Sequence, residues 1–402
     1  MKILFLTDNF PPETNAPATR TFEHCKEWVA KGAEVTVITG FPNFPKGKIY
    51  PGYKNKRIQH EEIEGIKVIR VWTFIAANKG FLKRTLDFLS FMISAFFAGL
   101  TVKTDKIVAT SPQFFTALAG KWLSFWKRKP WIMEVRDIWP ESIVAVGASK
   151  RNLIIKYFEW LEKRMYNSAK HIVVVTDSFK DNLINKNVPK DKISVFKNGV
   201  NIANYPPIPK NQKVLQDLKL ESKFIFGYIG THGMAHGLDF ILNAIEPLQK
   251  SNPDFHFLFI GDGAERENLI QQSNKMELKN TTFLPSVTKV DVKKYLSVMD
   301  IALVNLKKSD TFLSVIPSKI FEAAAMGKPI LLGLNGETKG IIQQYNAGLC
   351  FEPENKTEFI NTSIKIAEPS IYQEKKEGAF ILAQNFEREK IASQMLNTIE
   401  KV

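Results

Sequence analysis

Short apolar runs alternate with stretches of helical length along this chain, and this alternation limits the possible folds more than any other feature. The runs of the first half are KILFLTD (2–8), EVTVITG (34–40), KVIRVW (67–72), KIVATSP (106–112), WIMEVRD (131–137), HIVVVTD (171–177) and ISVFKNGV (193–200). After a proline-rich segment at 204–210 the runs are FIFGYIG (224–230), FHFLFIGDG (255–263), TTFLPS (281–286), IALVNL (301–306) and KPILLG (328–333). Runs that are apolar at nearly every position predict strands buried on both faces, as in parallel sheets covered by crossover helices.

The alternation predicts an α/β protein with two Rossmann-like, doubly wound parallel-sheet domains facing each other across a cleft. At 402 residues the chain is longer than one hydrophobic core usually supports, which is about 250–300 residues. We place the first domain at 1–203 and the second at 204–378, and we expect a helix within 379–402 to return to the first domain. Ligands of such sheets bind at the carboxyl ends of the strands, so the cleft is the expected site.

The positive charge of the protein is confined to its first half. Residues 1–200 contain 32 Lys and Arg against 18 Asp and Glu, whereas 201–402 contain 23 of each, and the net charge is +14. All seven tryptophans, from Trp28 to Trp160, also lie in the first half. This asymmetry predicts that the first domain contacts an anionic surface, either nucleic acid or membrane.

The cysteines and the N-terminus indicate a cytoplasmic protein. Cys25 and Cys350 are far apart in the sequence, which favours a reducing compartment over a disulfide framework or a zinc site. The first apolar run meets Asp8 at once, as a buried strand would and a signal peptide would not.

Two glycine-rich turns connect strands to helices in the second half. Gly230, Thr231 and Gly233 lie in the first turn, and Gly261 and Gly263 flank an aspartate in the second. Main-chain amides in such turns can approach a phosphate, but a tight turn that only needs positive φ has the same composition. Neither turn is a Walker loop or a GxGxxG fingerprint followed by an acidic ribose ligand.

Lys319 and Glu322 lie one turn apart at the start of a helix that Ser318 can begin. An exposed ion pair at this spacing contributes only about 0.2–0.5 kcal/mol. The alanine-rich remainder of the helix favours burial, however, which places both charges at the expected cleft. A carboxylate there could accept the hydroxyls of a ribose, and a lysine could balance a diphosphate.

Asp137, His232 and His236 are further polar candidates. Asp137 ends a predicted strand and is either a site residue or a helix cap. The two histidines are four residues apart in a glycine-rich turn without a third ligand nearby, so we expect no metal site.

Two segments of the first half, 80–100 and 120–131, combine aromatic and basic residues. Their candidate membrane-contact residues are Phe81, Lys83, Arg84, Trp122, Trp126, Lys127 and Arg128. Tryptophan beside lysine and arginine is typical of the bilayer interface, while the apolar part of 80–100 is too short to span a membrane. A buried crossover helix followed by a basic loop is the alternative, and no recognition fold for nucleic acid is visible.

Seven segments occur in the order that a known family shows. They are FPPE with APATR (10–20), GFPNFPKGKIYPGY (40–53), VIRVW (68–72), RDIWPES (136–142), GTHGMAHGLD (230–239), GDGAER (261–266) and PSKIFE with GKPI (317–330). Together they resemble the GT-B glycosyltransferases of family 4, and within that family the WbuB-type branch, named for N-acetyl-L-fucosamine transfer in bacterial surface polysaccharide synthesis.

The resemblance implies a retaining, metal-independent transferase without a cofactor. Its donor would be a UDP-sugar bound by the second domain. Its acceptor would be a polyprenyl-diphosphate-linked saccharide of O-antigen or capsule synthesis, bound by the first domain at the inner face of the cell membrane.

The resemblance also implies roles for single residues. Glu322 matches the glutamate that holds the donor ribose, Lys319 and the loop containing His232 lie near the diphosphate, and Asp137 lies near the reacting sugar. The residues that match the remaining donor and acceptor positions are Leu284 and Val287 beside the base, Ser314 and Ser318 beside the donor, and Glu13, Asn15 and Arg20 on the acceptor side.

Four positions depart from the family pattern. Ser314 replaces a second glutamate, Thr231 and His236 replace an arginine and a lysine, and Asn15 replaces a glycine. These changes leave the donor sugar open. A UDP-sugar 2-epimerase of the same architecture and a non-catalytic sugar-nucleotide or lipid-binding module remain as alternatives.

Overall fold

A computed structural model describes residues 1–44, 47–75, 81–111, 114–141 and 153–402, with the side chains of 81–82 left out. The chain divides into two compact units. The first comprises Met1–Asn198 together with Arg388–Val402, and the second comprises Gly199–Glu387. Each unit is built on its own sheet and agrees with the predicted α/β class.

The sheet of the first unit has the strand order β3-β4-β2-β1-β5-β6-β7-β8. The strands are β1 (Lys2–Leu6), β2 (Glu34–Thr39), β3 (Ile58–Ile63), β4 (Ile66–Val71), β5 (Lys106–Thr110), β6 (Trp131–Val135), β7 (His171–Val174) and β8 (Ile193–Val195). Neighbouring strands pair in parallel except β3 and β4, which form an antiparallel hairpin at the edge. The central strands are buried on both faces, as the apolar runs predict.

The sheet of the second unit is parallel throughout, with the order β11-β10-β9-β12-β13-β14. Its strands are β9 (Phe224–Ile229), β10 (Phe255–Ile260), β11 (Thr281–Leu284), β12 (Ile301–Asn305), β13 (Ile330–Gly333) and β14 (Gly348–Cys350). Hydrophobic clusters cover both faces of each sheet, so each unit has its own core.

Helices cover the faces of both sheets. The first unit has α1 (Ala16–Ala30), α2 (Phe81–Thr101), α3 (Phe114–Lys127), α4 (Leu153–Ser168) and α5 (Asp177–Asn185). The helices that follow are α6 (Gln212–Leu218), α7 (Leu238–Ile245), α8 (Leu248–Ser251), α9 (Arg266–Lys275), α10 (Lys289–Val298), α11 (Lys319–Ala325), α12 (Glu337–Gln344), α13 (Lys356–Ile366), α14 (Pro369–Asn385) and α15 (Arg388–Lys401).

The last helix belongs to the first unit. The indole Nε1 of Trp28 on α1 donates to the carbonyl oxygen of Ala392 on α15 at 2.8 Å, and Arg388 pairs with Glu23. Of the segment 379–402, residues 388–402 therefore complete the first unit, whereas 379–387 complete the second. The chain leaves the first unit after Asn198, a few residues before the predicted boundary at 203.

Candidate functional site

Two glycine loops, at the carboxyl ends of β9 and β10, are joined by main-chain hydrogen bonds. The amide of Gly230 donates to Ile260 O at 2.9 Å, and the amide of His232 donates to Asp262 O at 2.8 Å. In return the amide of Glu265 donates to His232 O at 2.9 Å. The two loops thus form one structural element of the second unit.

The joint between the loops requires glycine at three positions. Gly230, Gly261 and Gly263 have φ values of +153°, +154° and +155°, which L-residues with a side chain rarely adopt. A Cβ on Gly261 would lie 1.8 Å from Gly230 O, and one on Gly263 would lie 2.5 Å from His232 O. Gly233 differs, because its φ is −113° and a Cβ there would approach no atom closer than 3.6 Å. Positive φ accounts for three of the four glycines, and close loop packing adds to it at Gly261 and Gly263, whether or not these glycines approach a phosphate.

Lys319, the first residue of α11, reaches back to the first glycine loop. Its Nζ lies 4.1 Å from the ring centroid of Tyr228, and a Cβ on Gly230 would lie 2.5 Å from the same nitrogen. The Tyr228 hydroxyl donates to Thr231 O at 2.7 Å and so holds the ring in place. Burial lowers the pKa of Lys319 to about 8, against the opposing effect of Glu322. The ammonium therefore lies against the loop instead of on an open helix surface.

Glu322 lies one turn further along α11 and is half-buried. Between the two charged residues, Ile320 and Phe321 are fully buried in the core of the second unit. Ser318 occupies the N-cap position, but its side chain makes no capping hydrogen bond. The helix is thus anchored by its apolar face, while Lys319 and Glu322 remain at its margin.

The two histidines of the first glycine loop are neutral at neutral pH. Burial and the nearby charges of Arg266 and Lys319 lower the pKa of His232 to about 4, although Asp262 opposes the shift. Burial and Lys319 also lower the pKa of His236 to about 4. Within the described residues, neither ring nitrogen of His232 nor Nδ1 of His236 has a hydrogen-bond partner. Lys319, not a histidine, therefore supplies positive charge at this loop.

Asn305, at the end of β12, supports the same loop and was not predicted from the sequence. Its Nδ2 donates to His236 O at 2.8 Å, and the amide of Lys307 donates to Ala235 O at 2.9 Å. These bonds hold the turn Met234–His236 to the sheet. In the sequence, Asn305 is the one polar residue of the stretch IALVN (301–305), and this could have indicated its role.

Leu284 ends β11, the edge strand of the second sheet, and Val287 follows this strand. The amide of Gly261 donates to Leu284 O at 3.1 Å, so this segment adjoins the second glycine loop. Val287 is half-buried against the core of the unit.

Ser314 lies in the loop between a short 3₁₀ turn, Asp310–Phe312, and α11. The amide of Glu337 donates to Leu313 O at 2.8 Å, and the Thr338 hydroxyl donates to Val315 O, so the residues on both sides of Ser314 are held by α12. Ser314 itself is half-buried.

In the first unit, Glu13 connects two loops at the carboxyl ends of β1 and β2. The carboxylate Oε1 accepts hydrogen bonds from the amides of Asn43 and Phe44, both at 2.8 Å. Burial raises the pKa of Glu13 despite these hydrogen bonds and the nearby Arg70. Glu13 thus fixes the position of the loop that follows β2.

The other two acceptor-side candidates bond groups within the first unit. Asn15 is the N-cap of α1, with its Oδ1 accepting from the amide of Ala18 at 2.8 Å. Arg20 is buried; its Nε donates to Glu134 Oε1 at 3.1 Å, and its Nη2 donates to Phe196 O at 2.9 Å. Both side chains position the polypeptide around the carboxyl end of the sheet.

Asp137 follows β6 at the same edge of the sheet and is half-buried. Three residues earlier, Glu134 of β6 is buried. Burial raises the pKa of Glu134, but the nearby Arg20 and Arg136 hold it below its ordinary value.

Arg70 lies near the end of β4 and was not among the predicted site residues. It is buried and donates to Gly40 O at 3.0 Å and to Pro11 O.

Exposed aromatic and basic residues are distributed along α2 and α3, which pack against each other. Phe125 and Trp126 expose 78% and 68% of their surfaces. The ring of Trp122 meets Phe96 at 5.9 Å, and Lys127 Nζ donates to Leu100 O at 2.9 Å. We call this surface, together with the exposed Lys83, Arg84 and Arg128, the α2–α3 face. The side chain of Phe81 lies outside the described residues.

The described residues were compared with the requirements for a membrane-spanning helix and for a metal site. Among them, none of the helices has the length and apolar character needed to cross a bilayer. In the same part of the chain, no three His, Cys, Asp or Glu side chains cluster as metal ligands would.

Both units match known domain families. Residues 15–199 match the Glycosyl transferase 4-like domain, and residues 210–378 match Glycosyl transferases group 1. The chain is a glycosyltransferase. Among curated relatives of this glycosyltransferase, the putative colanic acid biosynthesis glycosyl transferase WcaI of Escherichia coli is 25% identical over 371 residues, which cover 88% of this chain and 89% of WcaI. The probable glycosyltransferase WbjE of Pseudomonas aeruginosa is 26% identical over half of each chain.

Solved glycosyltransferase structures confirm the GT-B fold. Anabaena HepE in complex with UDP-glucose superposes over all of both chains with a TM-score of 0.72 at 16% identity. WaaG, a glycosyltransferase involved in lipopolysaccharide biosynthesis, superposes over 99% of both chains with a TM-score of 0.69 at 13% identity. At these identities the likeness concerns the fold alone.

Proposed function

We propose that this glycosyltransferase transfers a sugar from a UDP-linked donor to a saccharide carried on polyprenyl diphosphate, in O-antigen or capsule synthesis. The observation that carries the proposal is Lys319, whose ammonium lies against Gly230 and the Tyr228 ring with Glu322 one turn away. The solved complexes of HepE with UDP and with UDP-glucose support a UDP-linked donor. The name of WcaI supports a role in polysaccharide synthesis.

We assign the donor roles as follows. Lys319 balances the charge of the diphosphate, and Glu322 accepts hydrogen bonds from the ribose hydroxyls. Those amides of the two glycine loops that do not join the loops to each other or to β11 face the diphosphate oxygens. The main chain of 284–287 meets the base. Ser314 and Ser318 lie beside the donor, which we propose to be an N-acetylated amino sugar such as N-acetyl-L-fucosamine, as in the WbuB-type branch.

The proposed reaction retains the anomeric configuration and requires neither metal nor cofactor. The bond between the anomeric carbon and the diphosphate breaks, and the acceptor hydroxyl forms the new bond from the same face of the sugar. Lys319 and the loop amides stabilise the charge that develops on the departing UDP. The hydroxyl proton passes to the leaving phosphate, so no strong protein base is needed. Asp137 orients the reacting sugar, and His232 acts as a neutral hydrogen-bonding group.

Calorimetry with UDP tests the donor site. Glu322→Ala is expected to abolish measurable binding, because the ribose hydroxyls lose their charged acceptor. Asp291→Ala is the matched control, since Asp291 and Lys294 form an exposed pair at the same i,i+3 spacing with Nζ and Oδ1 2.7 Å apart. Unchanged affinity of the Glu322 variant would sink this assignment. Donor binding without transfer to any lipid-linked acceptor would instead favour a binding module.

We propose further that the α2–α3 face binds the inner face of the cell membrane. Its exposed Phe125 and Trp126 can enter the bilayer interface while Lys83, Arg84 and Arg128 meet anionic headgroups. In flotation with vesicles of phosphatidylglycerol and phosphatidylethanolamine, the wild type is expected to rise with the lipid. The double variant Phe125→Ala, Trp126→Ala should stay below.

Ile381→Ala is the control for flotation, because Ile381 is half exposed on α14 of the second unit. This variant should rise with the lipid like the wild type. A wild type that stays in solution would contradict the membrane assignment.

Interconversion of the donor sugar without transfer to an acceptor would favour the 2-epimerase alternative.

A further inference from the structure

Asp87 is a half-buried carboxyl group on α2 that none of the preceding assignments uses. Burial raises its pKa to about 6, with Arg84 opposing the shift and Glu13 adding to it. Among the described residues, its carboxylate accepts no hydrogen bond and pairs with no cation; the Arg84 guanidinium lies over the Phe88 ring instead, 5.3 Å from its centroid. A half-buried carboxylate without a protein partner can accept hydrogen bonds from a ligand.

The position of Asp87 is set by two loops at the carboxyl edge of the first sheet. β1, β2 and β4 run parallel, so the segments that follow them emerge at one edge. The segment after β4 is tied to α2, because the amide of Phe74 donates to Ser90 Oγ at 2.7 Å and this hydroxyl donates to Asp87 O. The segment after β1 carries Glu13, whose charge adds to the raised pKa of Asp87. Two carboxyl groups therefore share this edge.

Three large aromatic side chains on the segments that follow β2 and β4 are exposed. Phe44, which follows β2, is 40% exposed, and Trp72 and Phe74, which follow β4, are 42% and 39% exposed. The Phe44 amide donates to Glu13, and Phe44 O accepts from the Tyr50 hydroxyl at 2.7 Å, so the backbone that carries this ring is fixed. Exposed apolar side chains that recur beside convergent polar groups are typical of a ligand site. We call Phe44, Trp72 and Phe74 the aromatic rim.

We propose that Asp87 and the aromatic rim bind the saccharide of the acceptor. The proposal rests on the proposed function and names residues that would hold the saccharide part of the acceptor. The C–H faces of a pyranose ring pack against aromatic rings, while a carboxylate accepts hydrogen bonds from sugar hydroxyls. Two neighbouring carboxyl groups would repel a diphosphate, so a neutral saccharide fits this edge better than a phosphate or an anionic headgroup. The lipid diphosphate of the acceptor must then lie elsewhere.

Saturation-transfer NMR with methyl glycosides of glucose, galactose, N-acetylglucosamine and L-fucose tests the proposal on the full chain. At least one glycoside is expected to bind the wild type. Asp87→Asn and the double variant Trp72→Ala, Phe74→Ala should each weaken that glycoside by about tenfold or more, since each loses a charge-assisted hydrogen bond or a stacking surface. Glu62→Gln, an exposed carboxylate on the β3 edge strand, should bind like the wild type.

The pH dependence separates a binding role from a structural one. The glycoside needs the ionised carboxylate, so affinity for the wild type should fall as the pH drops below about 6, and Asp87→Asn should be flat there. Arg84 and Glu13 are the charged groups that influence Asp87, and neither is altered in this variant. UDP affinity, measured in parallel, should be unchanged in all three variants.

Each outcome decides the question. Absence of glycoside binding to the wild type, or wild-type binding by the Asp87 and aromatic variants, would overturn the saccharide assignment. Absence of UDP binding to the wild type would instead overturn the proposed function.

Discussion

The carboxyl-end loops of the two sheets use their polar residues in opposite ways. In the first unit Asn15 caps α1, Arg20 bonds Glu134 and Phe196, and Glu13 bonds two amides of the next loop. In the second unit Lys319 lies on the Tyr228 ring, and both ring nitrogens of His232 are without partners among the described residues. Similar motif positions therefore bond neighbouring loops in one unit, whereas in the other an ammonium lies on an aromatic ring and a buried imidazole has no hydrogen-bond partner in the described part of the chain.

The structural role of the polar residues in the first unit is tested most strongly at Arg20. Arg20→Met keeps the length of the side chain but leaves the Glu134 carboxylate buried without its partner. We expect the free energy of unfolding of the first unit to fall by roughly 3–5 kcal/mol, because a buried carboxylate that loses its hydrogen-bonded cation is costly even with Arg136 nearby. Tryptophan fluorescence during urea denaturation measures this unit alone, since all seven tryptophans lie within residues 1–200.

The control for Arg20 is Lys26→Met. Lys26 and Glu64 form an exposed pair with Nζ and Oε2 3.0 Å apart, so we expect a change below about 1 kcal/mol. UDP affinity should be the same in both variants. Equal stability losses in the two variants would show that Arg20 does not have the structural role assigned to it.

In the second unit the largest effect is expected for Gly261→Ala. The new Cβ would lie 1.8 Å from Gly230 O at a φ of +154°, so the two glycine loops must separate. We expect a loss of roughly 2–4 kcal/mol in unfolding free energy, combining overpacking with backbone strain, and weaker UDP binding. Thermal unfolding by calorimetry measures the first effect and titration with UDP the second.

Gly340→Ala is the matched control for this variant. Gly340 lies within α12, and a Cβ there would meet nothing within 4 Å. Because alanine favours helix over glycine, stability should rise by up to about 1 kcal/mol. A Gly261 variant that behaves like the Gly340 variant would contradict the interlocked loops.

For Lys319→Met we expect a smaller effect, which is confined to the affinity for UDP. Burial lowers the pKa of Lys319 to about 8, and only the protonated amine attracts a diphosphate. UDP affinity of the wild type should therefore fall as the pH rises above about 8. Lys319→Met should bind about tenfold more weakly at pH 7 and show no such decline. Lys294→Met, altered at an exposed lysine on α10, should retain the wild-type profile. Calorimetric titrations between pH 7 and 9.5 measure all three.

Each unit contains one strand that no apolar run predicted, β3 in the first unit and β14 in the second. The double-sheet architecture follows from apolar runs, and β10 in the second unit is buried at every position as its run predicts. In the first unit, β3 was missed because its sequence IQHEEI carries three charged or ionisable residues and only alternate side chains are partly buried. An antiparallel edge strand needs no continuous apolar run.

The candidate site residues show the same limit. The placement of Lys319 and Glu322 one turn apart at the start of a helix could be predicted, because this spacing is visible in the sequence. The bonds of Arg70 and Asn305 could not, since their partners, Gly40 and His236, lie about 30 and 70 residues away and are chosen by the packing of the sheets. Asp87 was missed for a similar reason, because its neighbour Glu13 follows another strand.

The smallest effect, and the sharpest test of the first unit, is expected at Asn15. Its Oδ1 caps α1, so Asn15→Ala should lower the unfolding free energy of the first unit by about 1 kcal/mol, and Asn15→Gly by only a few tenths. Asn15→Asp keeps the capping oxygen and should restore stability. Glycoside affinity should remain that of the wild type in all three, because the side chain is used within the unit. If stability were unchanged and glycoside affinity fell instead, Asn15 would be a ligand contact, and the contrast between the two units would not hold at this position.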